Sequence, residues 1–254
     1  MIGAVSTTQV SGVDKGRLAL ELPEPTERAV VLAPEIEEMS VRGVEMIKGA
    51  EKQLTRRLMV CGPVHSRITP SDVEDDSELI RFLRDSREYV FYALRWSCSF
   101  RPKDGELFTE CLVGIGLRRE DKRTDEPPIA WSMQPRRLDK VTHVSSNLAF
   151  VAGLKLTPVD ISVTRDRGEE TEQRDACVQA FGELGSDPSW ELYRVKGVPL
   201  RGMQDLNLVV RAPAEVPVIG KTTIEAKVRR KTFGVIKYRG IVPGEASALD
   251  FRLV

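Results

Sequence analysis

Tyr89-Val90-Phe91-Tyr92-Ala93-Leu94-Arg95-Trp96-Ser97-Cys98-Ser99-Phe100 is the stretch from which the fold of this chain is read. Every second residue from Val90 to Phe100 is apolar. Strict alternation over such a run marks a strand with one buried face. Arg101-Pro102-Lys103-Asp104-Gly105 follows, and Asp-Gly is a strong turn signal because glycine accepts positive φ. A second alternating run carries Leu107, Thr109, Cys111, Val113, Ile115 and Leu117. Together these predict a hairpin from Tyr89 to Leu117. Centring its turn on Asp104 and Gly105 sets Trp96 opposite Val113, Leu94 opposite Ile115 and Tyr92 opposite Leu117. A one-residue slip would place Gly114, Gly116 and Arg118 there instead, so the pattern selects the register.

The same register sets Cys98 opposite Cys111. Opposed cysteines can bridge in an oxidising compartment; in the cytoplasm the pair reads as two reduced, buried, small hydrophobes. The other two cysteines are Cys61 and Cys177, and no two of the four have the close spacing of a zinc knuckle. No metal site or cofactor is expected on the leading reading.

The 254 residues allow one large domain or two small ones. At 41% hydrophobic and 30% charged, the composition is that of an ordinary globular protein. Lys plus Arg equals Asp plus Glu, at 38 each, which argues against a general nucleic-acid binder while leaving room for a local basic face. No apolar run approaches the roughly 18–20 residues of a membrane-spanning helix. The N-terminus lacks the basic start and apolar core of a signal peptide, so a cytoplasmic protein without a membrane span is expected.

Outward from the hairpin, residues 1–22 read as a loose arm or an added edge strand. Residues 34–59 predict a helix. Pro34 suits its first turn, acids follow at Glu35, Glu37 and Glu38, and apolar residues recur at spacings of three and four. A shorter helix is predicted between Pro70 and Arg84, with Thr69 and Asp72 as a capping box. The five acids from Asp72 to Glu78 read as its solvated start. Beyond the hairpin, Arg118 to Pro128 is a charged loop closed by two prolines. Short strands are predicted at 129–133, 148–156, 159–163, 177–184, 190–195, 206–211, 223–229, 233–238 and 249–253. Strands of this length separated by Gly, Pro, Asp and Ser turns describe an antiparallel β-sandwich, Ig-like or jelly-roll-like, over 87–254. An arm and a helical segment occupy 1–86.

Catalytic signals are sparse. His65 and His143 are the two histidines, and neither sits in a metal-binding pair. His143 precedes Ser145 and Ser146, but sequence adjacency does not make a triad. Gly220-Lys221-Thr222 matches the end of a phosphate-binding loop, yet Glu215 stands where the loop needs a glycine and Pro217 has no N–H to offer, so a hairpin turn is expected there. Asp205 together with Glu225 and Lys227 in Thr223-Ile224-Glu225-Ala226-Lys227-Val228 resembles the D…E-x-K arrangement of the restriction-endonuclease-like nucleases. The resemblance covers about 25 residues and implies two carboxylates holding Mg2+ and a lysine positioning the attacking water. The surrounding chain lacks the helices of that family. Trp96, Trp131 and Trp190 read as inter-sheet core.

The function expected from these features is non-enzymatic: a β-sandwich binding or assembly protein that self-associates or docks on a protein partner, with the helix at 34–59 as the docking element. Two alternatives remain at this point. One is a Mg2+-dependent nuclease using Asp205, Glu225 and Lys227. The other is a small-ligand or lipid carrier with an apolar cavity between its sheets.

Overall fold

The computed structural model describes residues 17–18, 22, 35–39, 57–74, 77–138, 177–195, 199–232, 235–242 and 249–254. Within them the chain is mainly β, with two large antiparallel sheets and one helix. Strands are numbered in chain order. One sheet has four strands, in the order β3 (Leu58–Ile68), β5 (Tyr89–Phe100), β11 (Gly202–Pro213) and β7 (Ile129–Gln134). The other runs β2 (Glu35–Met39), β13 (Val235–Val242), β12 (Val218–Thr232), β6 (Glu106–Arg119), β10 (Ser189–Tyr193), β9 (Val178–Phe181) and β8 (Arg137–Leu138). An eighth strand, β14 (Leu249–Leu253), pairs the first part of β12, and β13 pairs the rest. A two-residue ladder joins β1 (Arg17–Leu18) to β4 (Val73–Glu74).

The strands β5 and β6 form where the alternation predicts them, but they do not form a hairpin. They lie in different sheets. Trp96, Leu94 and Tyr92 pair with Leu206, Leu208 and Val210 of β11. Val113, Ile115 and Leu117 pair with Ile224, Thr222 and Gly220 of β12. The connection through Asp104 and Gly105 turns as expected, with Gly105 at φ 78°, but it carries the chain from one sheet to the other. Alternation states which residues face the core. It does not state whether two apolar rows meet side by side in one sheet or face to face across two, since both bury the same surface. Cys98 and Cys111 are accordingly not ladder neighbours. Cys98 pairs Gln204 and Val60, Cys111 pairs Ala226 and Leu192, and both thiols are buried and free.

The phase of β6 also changes along its length. Lys227 pairs Glu110 and Val228 pairs Phe108, leaving Thr109 as an extra residue. This bulge flips the strand's faces. Beyond it Cys111, Val113, Ile115 and Leu117 point inward as predicted; before it Phe108, not Leu107 or Thr109, enters the core.

The inner faces share one core. Phe100 of β5 meets Phe108 of β6 edge-on at 5.3 Å between ring centroids. Trp96 lies 6.2 Å from Trp190 of β10 and 5.9 Å from Phe251 of β14. The expectation of an inter-sheet core holds for Trp96 and Trp190, both fully buried. Each such side chain contributes on the order of 2–3 kcal/mol through burial. The Trp96 indole N–H donates to Thr222 Oγ1 at 3.1 Å, which satisfies the one polar group that this ring brings inside. At the mouth of the connection, Arg57 Nε donates to Glu106 Oε2 at 2.8 Å, and the Lys103 N–H donates to the same oxygen at 2.9 Å.

The four-stranded sheet is covered on its other face too. Helix α1 (Ser77–Asp85) lies there, and Leu79, Phe82 and Leu83 pack with Phe91, Ala93, Val209 and Trp131. Trp131 is thus outside the inter-sheet core, stacked on Phe82 at 6.2 Å. Arg211 closes the cluster, its guanidinium 4.4 Å from the Tyr89 ring and 5.0 Å from the Trp131 ring. This explains why β5 is apolar on both faces at Phe91 and Ala93. The predicted helix over 70–84 is shorter than expected: Pro70–Asp72 is a single 3-10 turn, and α1 begins at Ser77. The capping box is real but caps that turn, with the Thr69 N–H donating to Asp72 Oδ2 at 2.7 Å.

The predicted helix over 34–59 is absent at both of its described ends. Glu35–Met39 is a strand paired with β13, and Leu58–Met59 opens β3. Residues 40–56 lie outside those described, as do the strands expected at 148–156 and 159–163. Helical spacing and a broken strand pattern coincide here, and pairing with strands distant in sequence prevails over local propensity. Gly220-Lys221-Thr222 is not a turn but the interior of β12, where Gly220 pairs Leu117 and Phe251. Among the described residues no helix is long and apolar enough to cross a membrane.

Candidate functional site

The C-terminal end of β6 and the start of β12 meet two connections, the loop 119–128 and the turn 182–188. Between them lies an open cleft of about 690 Å3. Its apolar lining is Leu117, Pro127, Pro128 and Ile219, and its polar lining includes Arg118, Arg119, Lys122, Arg123 and Asp187.

Both walls are held by named bonds. In the turn, Gly182 and Leu184 take positive φ, at 76° and 65°. A Cβ on Gly182 would lie 2.8 Å from the Asp187 carbonyl oxygen, so this close approach requires glycine. The Leu184 N–H donates to Ala130 O at 2.7 Å, and the Ala130 N–H donates to Gly185 O at 2.8 Å. The Leu117 N–H donates to Ser186 O, and Ser186 Oγ donates to Pro128 O at 2.7 Å. The turn therefore ties β6 of one sheet to β7 of the other and fixes the prolines that line the cleft.

The loop is ordered by arginine. Arg119 Nε and Nη2 donate to the two oxygens of Asp121 at 2.9 and 2.7 Å, and Nη1 donates to Asp125 O at 2.9 Å. This planar fork suits a bidentate carboxylate. Hydrogen bonding with Asp121 pushes the Arg119 guanidinium up from its ordinary value, and the Arg119 fork holds the Asp121 carboxyl below the usual carboxylate range. Arg123 makes a second fork to Asp125 at 3.1 and 2.8 Å. The Glu120 N–H donates to Pro217 O at 2.9 Å, and Arg252 Nη2 donates to Glu120 Oε2 at 2.7 Å. Lys122 and Glu126 sit at φ 60° and 51°. Such values are uncommon for residues with side chains and persist where surrounding bonds impose them.

The residues singled out in the sequence lie elsewhere. Asp205 is on β11 of the four-stranded sheet, where Ser97 Oγ donates to its Oδ1 at 2.5 Å. Glu225 and Lys227 are on β12 of the other sheet. Their strand neighbours Leu206, Ile224, Ala226 and Val228 fill the inter-sheet core, so alternation puts all three on outer faces with that core between Asp205 and the other two. Lys227 Nζ donates to Glu110 Oε1 at 2.7 Å. The structure brings Glu225 and Lys227 onto one strand face and does not bring Asp205 to them. Among the described residues no group of three or more His, Cys, Asp or Glu is placed to hold a metal ion. His65 Nε2 lies 3.1 Å from Arg252 O, and burial lowers its pKa; the bond joins the edge of β3 to β14. His143 is outside the described residues.

Sequence reading passed over the cleft because its residues look like an ordinary charged loop. The available signal was the run Arg118-Arg119-Glu120-Asp121-Lys122-Arg123, where both signs alternate too closely for a solvated face of one charge. Its partners, Ser186 and Ile219, are remote in sequence and were not readable from it.

No protein-family model matches the chain, and no curated protein matches it. Among solved structures, it is similar to a chain titled "Pore forming protein", with 7% identity and a TM-score of 0.33, covering 78% of this chain and 85% of that one. A likeness of that degree does not extend to function.

Proposed function

We propose that the chain is a non-enzymatic binding protein, built as a β-sandwich, that engages its partner at the cleft between the 119–128 loop and the 182–188 turn. The observation that carries this reading is the combination of rigidity and vacancy at that place. A volume of about 690 Å3 falls within the range of small-molecule sites, and both of its walls are fixed in advance by hydrogen bonds. Preorganisation of this kind reduces the ordering that binding must otherwise impose. The carrier reading gains from the same observation, with the site moved from between the sheets, where Trp96, Trp190, Phe100 and Phe108 fill the space, to the end of one sheet. The placement of Asp205 away from Glu225 and Lys227 gives the nuclease reading no shared site.

The test is a screen of small organic probes, neutral and charged, followed by backbone amide NMR. Shifts gathered on Leu117–Lys122, Ser186 and Ile219 support the reading. Probes that scatter over the surface, or gather elsewhere, overturn it.

A further inference from the structure

The charges around the cleft are not equivalent. Arg119 is committed to Asp121 and Arg123 to Asp125, both through two-pronged contacts. Glu120 is committed to Arg252. These pairs cancel one another and hold the loop. Two cations on the lining, Arg118 and Lys122, have no ion-pair partner among the described residues, and one lining carboxylate, Asp187, likewise has none. The uncommitted charge on the lining is therefore net positive.

Arg118 is exposed on the outer face of β6. Its cross-strand partner is Ile219, which is 42% exposed although it is a large aliphatic side chain in a central strand. Lys122 stands at the tip of the loop, where the positive φ and the bond from its N–H to Arg119 O fix the direction in which its stem leaves the chain. Exposed apolar surface at Ile219 and Pro127, with two uncommitted cations beside it, has a definite chemical complement.

We infer that the cleft takes an amphiphilic anion, in which an apolar chain or ring rests on the exposed Ile219 and Pro127 and a single carboxylate or phosphate head is held by Arg118 and Lys122. This rests on the reading of the cleft as the binding surface. The committed arginines have a different part: Arg119 and Arg123 position the loop and do not contact the head. Because the two cations are exposed, their attraction is screened by salt, so affinity falls as ionic strength rises. The head can come from a free small molecule or from a lipid; the chemistry is shared and the experiment separates the sources.

The experiment is titration of the whole chain with octanoate, octyl phosphate, octanol and inorganic phosphate, followed by calorimetry and amide NMR, and in a separate arm sedimentation with phosphatidylcholine vesicles with and without phosphatidic acid. The expected result is binding of octanoate and octyl phosphate with shifts at Leu117 and Ile219, at least about tenfold tighter than octanol, a difference of about 1.4 kcal/mol. Arg118→Gln and Lys122→Gln each weaken the charged ligands several-fold and leave octanol unchanged, and Ile219→Ser weakens all three octyl compounds. These positions are exposed, and unchanged amide spectra away from the cleft show that the variants fold. Co-sedimentation with the anionic vesicles alone, lost in Arg118→Gln, assigns the head to a lipid; binding of the soluble anions without sedimentation assigns it to a free molecule. Octanol binding as tightly as octanoate overturns the anion inference and leaves the cleft reading intact. Failure of every ligand, with probes absent from the cleft in the screen, overturns both.

Discussion

Replacing Thr222 by valine tests how the two sheets meet. Trp96 and Thr222 are 126 positions apart, in different sheets, and joined by the indole N–H donating to Oγ1 at 3.1 Å. Both residues are fully buried. Valine keeps the shape of threonine and removes the acceptor. The buried indole N–H is then left without a partner, at a cost of about 1–3 kcal/mol. The added methyl group offsets this by at most ~0.8 kcal/mol. The net destabilisation expected is about 1–2 kcal/mol. Urea unfolding followed by tryptophan fluorescence reads it as a fall in the midpoint at unchanged slope. Trp96→Phe supplies the second side of a double-mutant cycle. It is destabilising by itself because it leaves a void, but in its background Thr222→Val loses nothing further, giving a coupling of about 1–2 kcal/mol. A Thr222→Val protein as stable as the parent, or a coupling near zero, refutes the face-to-face arrangement, since in a hairpin of β5 with β6 these two residues would have no reason to interact.

Other expectations follow from single contacts. Arg57→Met leaves the Glu106 carboxylate buried with the Lys103 N–H still bonded to it, and should lower stability by about 3 kcal/mol, whereas Arg57→Met with Glu106→Met should recover most of that loss; equal damage in both proteins would contradict it. Gly220→Ala drives a Cβ into the Phe251 ring, so the melting temperature should fall by an amount matching about 1–3 kcal/mol, and Gly220→Ala combined with Phe251→Leu should be less unstable than the sum of the two changes. Tyr193 is held up at about 12, first by its hydrogen bond to the Glu191 carboxylate and then by burial; absorbance titration should show one tyrosine ionising late, and Glu191→Gln should return it towards 10. A raised folded value means that this bond's contribution is complete below the ordinary tyrosine range and is lost as pH rises through about 12. Burial pushes the Cys98 thiol up to about 12, so in the native protein Cys61, the half-exposed cysteine, should react with a disulfide reagent well before Cys98 or Cys111, and equal rates would count against the described core.

The residues themselves determined the class of fold and most of its strands. Val90 to Phe100 and Cys111 to Leu117 alternate so regularly that their inward faces were legible, because period two is a local property of an extended chain. The same holds for the capping residues Thr69 and Asp72, which act within four positions of each other. What lay beyond the sequence was everything decided between distant strands. Whether β5 lies beside β6 or across from it, whether Thr109 is a bulge, and whether Glu35–Met39 coils or pairs with β13 all depend on which partners are available, and a local pattern carries no record of them. Gly220-Lys221-Thr222 shows this most sharply: read locally it is a turn, but the Phe251 ring of β14 and Leu117 of β6 flank it and hold it extended. The cleft belongs to the same class. Its loop was visible as charge, but its floor comes from Ile219 and its far wall from Ser186 and Asp187, residues brought together only when two sheets and two connections close at one end.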